Sequence, residues 1–255
     1  MVIIKTRQEI EKIKESCHLT ASALKYIAEK IKPGIKTIQL DQMAELFIKK
    51  NGGKPSFKNY GPKGYEFPAS ICVSINDEIV HGIPGDRILK EGDIVSIDIG
   101  TNLDGYFGDA AATIGVGEIS TVAQKLIRTT KESLLAGIQQ AVAGNYIGDI
   151  SNAIQSIAEN NNFSVVREYV GHGVGLKVHE DPQIPNYGKP KTGLKLEKGM
   201  VIAIEPMLNQ GDYRTICGND GWTVKTADGS LSAHFEHTIA IYDDGNEILT
   251  NQIWE

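Results

Sequence analysis

The chain has 255 residues, enough for one large or two small domains with a sizeable core, and its 41% hydrophobic and 23% charged residues describe an ordinary globular protein. A formal net charge of −6 with scattered lysines gives no electrostatic case for a nucleic-acid partner, and no apolar run approaches the ~18 residues of a membrane span. The N-terminus MVIIKTRQEI lacks the layout of a secretory signal, and Cys17, Cys72 and Cys217 form neither a disulfide framework nor a zinc motif, so free thiols and a cytoplasmic location are expected.

Thr6 and Glu9 make a capping box ahead of apolar residues at Ile10, Ile13, Cys17, Ala21, Leu24, Ala28 and Ile31. That spacing predicts an amphipathic helix over residues 7–32, stopped by Pro33-Gly34. A second stripe at Leu40, Met43, Ala44 and Phe47 predicts a helix over 37–50. Residues 54–68, rich in Gly, Pro, Tyr and Phe, read as an irregular loop bearing aromatics, and 71–75 as a strand. Val80-His81-Gly82-Ile83-Pro84 follows; His81, beside a glycine, falls at a loop or strand end and reads as structural as readily as functional.

Residues 94–113, IVSIDIGTNLDGYFGDAAAT, read as a β-hairpin about Asp104-Gly105, a strong signal for a two-residue type I′ turn. In that register Gly100 faces Asp109 and Asp98 faces Ala111, so Asp98 and Asp109 are diagonal neighbours on one face. Val95, Ile97 and Ile99 point the other way, towards apolar packing. Two converging carboxylates repel by about 1–4 kcal/mol at ~4 Å unless a proton or a cation sits between them. Taken alone, the pair reads as two solvated acids; partners elsewhere must overturn that.

Further helices are expected over 121–142 and 147–160. Residues 163–181 carry strand-like Val and Tyr into a Gly-rich turn with His172 and His179; its glycines open no helix, which argues against dinucleotide binding. A strand over 196–204 ends at Glu205-Pro206, residues 222–226 and 231–242 read as a hairpin about Asp228-Gly229, and Asp244-Gly245 turns the chain again. Strands, helices and strands again imply an α+β fold with an antiparallel sheet.

The chain also repeats itself. LKEGDIVSIDIG, residues 89–100, resembles LEKGMVIAIEPM, residues 196–207, at a constant offset of 107, which makes Asp98 and Glu205 equivalent. The V-H-x-x-P around His81 recurs at Val178-His179-Glu180-Asp181-Pro182. Two related halves, about 1–115 and 116–255, imply a single pseudo-symmetric catalytic domain with its site at the junction. The candidates are then Asp98, Asp109, His172, Glu205 and Glu236, with His81 and His179 near them. Four carboxylates and one imidazole suit two divalent ions such as Mn, Fe, Co or Zn, and suit a structural zinc badly. Two such ions ~3.5–4 Å apart generate hydroxide at neutral pH and stabilise a tetrahedral oxyanion, so the chemistry implied is hydrolysis.

These motifs, together with SICVSINDEIVHGIP, GHGVG, VHEDPQIPNYG and GWTVKTADGSLSAHFEHT, resemble the type I methionine aminopeptidases, metallopeptidases of the creatinase-like or pita-bread fold. The resemblance covers essentially the whole chain. It implies removal of the N-terminal methionine from nascent polypeptides and short peptides, with a small second residue, by a metal-bridging hydroxide. It assigns Asp98 to one ion, Asp109 and Glu236 to the bridge, and His172 and Glu205 to the other ion, with Glu205 accepting the proton. It places His179 on the scissile carbonyl, His81 near the amide nitrogen, and Cys72, Trp222, Tyr65 and Phe67 around the methionine side chain. The ribosome becomes a candidate partner, and a monomer is expected. Val178 stands where many members have Phe, and the loop 64–68 looks one residue short; both touch the methionine pocket. An X-Pro dipeptidase or aminopeptidase P of the same fold is the nearest alternative, and a non-catalytic binding relative a more remote one.

Overall fold

A computed structural model describes residues 1–251. Helix α1 (Arg7–Ala28) starts at the capping box: the Thr6 hydroxyl accepts the Glu9 N–H, and the Glu9 carboxylate accepts the Thr6 N–H at 2.8 Å. It ends four residues before the expected position, at Ala28, and α2 (Thr37–Lys50) follows. The short β1 (Lys54–Pro55), then β2 (Cys72–Ile75) and β3 (Glu78–Val80), lead into the long hairpin of β4 (Ile94–Leu103) and β5 (Tyr106–Gly115). Helices α3 (Thr121–Gln140) and α4 (Ile147–Asn160) complete the helical set. The remaining strands are β6 (Ser164–Val165), β7 (Gly171–Gly173), β8 (Glu180–Ile184), β9 (Val201–Ile204), β10 (Met207–Asn209), β11 (Thr215–Cys217), β12 (Val224–Thr226), β13 (Ser232–His234), β14 (Glu236–Tyr242) and β15 (Gly245–Ile248).

Among the described residues nine strands form one antiparallel sheet in the order β1-β4-β5-β14-β9-β7-β8, with β2 also on β4 and β15 on β14. This is the α+β pita-bread fold. The apolar face is sealed by the helices: Ala21, Leu24 and Ile27 of α1, Leu134 of α3 and Ile150 of α4 share one core with Val95, Ile97 and Ile99 of β4 and Ile202 and Ile204 of β9. Each such fully buried branched side chain contributes about 1.5–3 kcal/mol relative to exposure. The hairpin has the expected register: Asp104 and Gly105 take φ of 52° and 89°, the left-handed pair a type I′ turn needs, and Gly100 pairs with Asp109 and Asp98 with Ala111.

Four expectations are corrected. The Gly-rich segment around His172 is strand β7, inserted between β8 and β9, not a turn; a Cβ on Gly171 would meet the Ala203 carbonyl at 2.4 Å and one on Gly173 the Asp181 carbonyl at 2.3 Å. Residues 222–226 and 231–242 do not pair with each other: β12 joins β11 and β3, whereas β13 joins β10. The Asp228 carboxylate accepts the N–H groups of Asp212 and Ser230, which draws the turn towards the loop after β10. The last turn is Asp243-Asp244, because Tyr242 pairs with Gly245; and β9 begins at Val201, since Glu197 to Met200 form a turn.

Candidate metal centre and active site

The sheet builds the site as a row across its strands. Cys72 pairs with Asp98, Asp98 with Ala111, and Ala111 with Glu236, across β2, β4, β5 and β14. His237 pairs with Ile204, so the residues next to them, Glu236 and Glu205, meet at the end of β9. Asp109 lies two residues along β5 from Ala111, on the same face. Ala111, buried between Asp98 and Glu236 in this row, carries only a methyl group. Between β13 and β14 the Thr113 hydroxyl donates to the His234 carbonyl at 2.9 Å and accepts its N–H at 2.8 Å, so the break in the strand is pinned. His234 and Glu236, two residues apart, then both sit beside Glu205 and its neighbours.

The His172 ring meets these acids from β7. Its Nε2 stands 3.6 Å from Glu205 Oε1 and 4.0 Å from Asp109 Oδ2, and one ligand atom each of Asp109, His172 and Glu236 lie within 4.8 Å of one another. The His172 Nδ1 is 2.8 Å from its neighbour's carbonyl, Gly173 O; donating there fixes the tautomer and leaves the Nε2 lone pair for a cation. Atoms bound about 2.0–2.2 Å from one ion sit at roughly these separations.

Two observations test whether the residues fit a cation. Asp98 Oδ1, Asp109 Oδ1, Glu236 Oε1 and both ring nitrogens of His234 are buried without a hydrogen-bond partner. Burial pushes all four carboxylates upward, and their mutual proximity pushes Asp109 and Glu236 further. Among the described residues these acids have ion-pair contacts only with His172 and His234, whose own basicity burial lowers to about 3 and about 4. A group of buried acids with orphaned oxygens and no resident cationic side chain fits divalent metal.

A cavity of about 650 Å³ opens over this cluster, and Asp98, Asp109, His172, Glu205, Glu236, His81, His179, Cys72, Phe67 and Trp222 all line it. His179 faces the His172 ring with centroids 4.3 Å apart, and its Nδ1 is 2.7 Å from the Tyr60 hydroxyl. Phe67 and Trp222 meet edge to face at 5.3 Å, and His81 stands edge-on to Trp222 at 6.1 Å. Val178 is buried with Phe57, Phe67, Ala69 and Cys72.

Tyr65 is the site residue that the structure leaves out. It is 76% exposed and does not line the cavity, because the Tyr65 N–H bonds Pro62 O and this turn lies over Trp222. Tyr60 stands at the cavity in its place, held by the Phe67 N–H on its carbonyl at 2.7 Å. Sequence reasoning also missed His234, 3.4 Å from Glu205 Oε2. Its signal was present: a histidine two residues before Glu236 falls on the same side of an extended segment as that acid.

Residues 11–243 match metallopeptidase family M24. A protein of Clostridium perfringens named methionine aminopeptidase is 54% identical over 250 residues, covering 98% of this chain and 99% of its own length. The crystal structure of methionine aminopeptidase from Rickettsia prowazekii superposes with a TM-score of 0.95 at 45% identity, covering 98% of this chain and all of that one. The prolidase of Pyrococcus horikoshii is more distant, with a TM-score of 0.77 and 26% identity over 64% of its length. The described helices include none long and apolar enough to cross a membrane. The chain belongs to metallopeptidase family M24, among its methionine aminopeptidases.

Proposed function

We propose that this chain removes the N-terminal methionine from peptides and nascent polypeptides with a small second residue, using two divalent ions held by Asp98, Asp109, His172, Glu205 and Glu236. The observation that carries this reading is the cluster of buried, cation-free acids at the floor of a cavity whose wall includes Cys72, Phe67 and Trp222. When bound, the ions supply a hydroxide at neutral pH and an electrophile for the carbonyl. Asp109 and Glu236 would be shared between the ions, Asp98 would serve one, and His172 and Glu205 the other. Glu205, its carboxyl pushed up by burial, would be the residue that accepts a proton from the nucleophile and returns it to the departing amine.

His179 works as a neutral imidazole, since burial lowers its basicity. With the Tyr60 hydroxyl donating to Nδ1, its Nε2–H is free to donate to the scissile carbonyl as charge develops there. His81, at the cavity wall beside Trp222, would lie near the amide nitrogen of the substrate. The soft thioether of methionine suits a wall of thiol and aromatic rings.

Two related halves in one catalytic domain belong to the same reading. Their support is the equivalence of Asp98 with Glu205 and the matching helix pairs, of 22 and 14 residues in one half and 20 and 14 in the other. A cytoplasmic monomer acting on chains as they leave the ribosome is the cellular setting that this substrate implies.

The test is turnover of Met-Ala-Ser, Met-Lys-Ser and an Xaa-Pro peptide after chelation and reloading with Mn, Fe, Co or Zn in turn. Cleavage of Met-Ala-Ser well above Met-Lys-Ser, only with metal, is expected; cleavage of the Xaa-Pro peptide with Met-Ala-Ser left intact would select the prolidase reading instead. His179→Ala should keep its metal and lose about 10²–10³ in kcat, the size of a lost oxyanion donor.

A further inference from the structure

The loop that presents His179 is closed by a carboxylate for which the proposed chemistry has no use. Glu180 Oε1 accepts the N–H groups of Leu176 and Lys177 at 2.7 and 2.9 Å, and Glu180 Oε2 accepts the Lys5 ammonium at 2.6 Å. Both side chains of this ion pair are 1% exposed. Every acceptor of Glu180 is therefore turned inward, either to the loop's own backbone or to the N-terminal segment.

Lys5 is itself fixed. Its N–H donates to Gly199 O at 2.8 Å, and a Cβ on Gly175 would lie 2.5 Å from Ile13 Cδ1 and 3.4 Å from Lys5 Cε, so the loop, α1 and Lys5 are in close contact. Gly175 O accepts the Phe107 N–H at 2.8 Å, which ties the other end of the loop to β5. Residues before Lys5 continue along the cavity, where Met1 and Ile3 contribute to the wall and the Met1 amine pairs with Asp181. That outer pair is exposed on both sides and contributes little. The buried pair is the fastener. Taking away one partner would leave the other charged and unpaired in the interior, and Glu180 would no longer fold the amides of residues 176 and 177 around itself.

We propose that Lys5 is a positioning residue for the reaction: through Glu180 it fixes the 174–180 loop so that His179, the residue next to Glu180, faces the cavity beside His172. The inference rests on the role given above to His179. It makes the first five residues part of the active-site framework, although Lys5 touches neither the acids nor the substrate.

Lys5→Met/Glu180→Gln removes the pair without leaving a lone buried charge, and Lys5→Arg keeps it. With the manganese-loaded protein and Met-Ala-Ser, the double variant should lose about ten-fold or more in kcat, while KM and the manganese binding isotherm stay within about two-fold. Lys5→Arg should keep most of the wild-type kcat. In a His179→Ala background the double variant should cost no further kcat, because Lys5 acts through that ring. If the double variant does not fold, Lys5→Gln/Glu180→Gln, which replaces the ion pair by a neutral hydrogen bond and leaves no lone buried charge, carries the same comparison. A folded variant lacking the pair with wild-type kcat overturns the inference, as does a loss that persists in full without the His179 ring. An unchanged kcat in His179→Ala alone overturns instead the role assigned to His179.

Discussion

His81 holds φ at 59°, a left-handed conformation that costs an ordinary side chain about 1–2 kcal/mol and that asparagine tolerates best after glycine. It does so with its ring edge-on to Tyr169 at 5.7 Å and to Trp222 at 6.1 Å, against the cavity. Burial first, then the proximity of His234 and His179, lowers its basicity to about 4. A histidine whose folded value lies below its unfolded value contributes stability that is present above about pH 6.5 and is lost as pH falls through the folded value. His81→Asn keeps a residue suited to this backbone and removes the titration. Between pH 7 and pH 4 the chelated wild type should therefore lose about 2–3 kcal/mol more than His81→Asn by urea unfolding. The other histidines are common to both proteins, so the difference reads His81 together with its coupling to His234 and His179, and an equal loss would mean that His81 titrates as if exposed.

At the scale of elements, the position of Asp109 depends on how α1 meets β5. A Cβ on Gly108 would stand 2.7 Å from Cys17 Cα and 2.8 Å from Cys17 N, so helix backbone lies directly on the strand one residue before the acid. Gly108→Ala should force the two elements apart, lowering the unfolding free energy by about 1–3 kcal/mol and weakening manganese binding in the same protein; full stability with full metal affinity would show that α1 can give way. The neighbouring hairpin was legible in the sequence because a two-residue turn with both residues at positive φ leaves one register, and register alone decides that Asp98 and Asp109 share a face. The Thr6–Glu9 capping box was legible for a similar reason: all of its bonds are local. What escaped was decided by distant partners. The turn at Asp228-Gly229 was correctly placed, yet long-range hydrogen bonds to the loop after β10 chose the strands it joins. Tyr60 and Tyr65 lie in a loop without periodicity, so nothing in the pattern said which ring faces His179.

The whole molecule spends its packing on the helical side of the sheet and leaves on the other side a set of acids that folding alone does not satisfy. Apolar side chains of all four helices seal one face, while the opposite face carries Asp98, Asp109, Glu205 and Glu236, each made harder to ionise by burial. The metal-free protein must then hold these acids protonated or repelling, and a ligand that binds only the folded site stabilises it by RT ln(1 + [L]/Kd). At a free manganese concentration of about 100 Kd this amounts to about 2.7 kcal/mol, readable as a rise of several degrees in Tm by scanning calorimetry. Asp109→Asn separates the two effects. An amide removes one buried acid from the repelling group, so the chelated variant should melt at or above the chelated wild type, yet it gives up an anionic oxygen central to the cluster, so the rise with manganese should shrink or vanish. A variant that melts lower without metal and gains as much from manganese as the wild type would show that Asp109 is held by the fold for packing, and that the cation lies elsewhere.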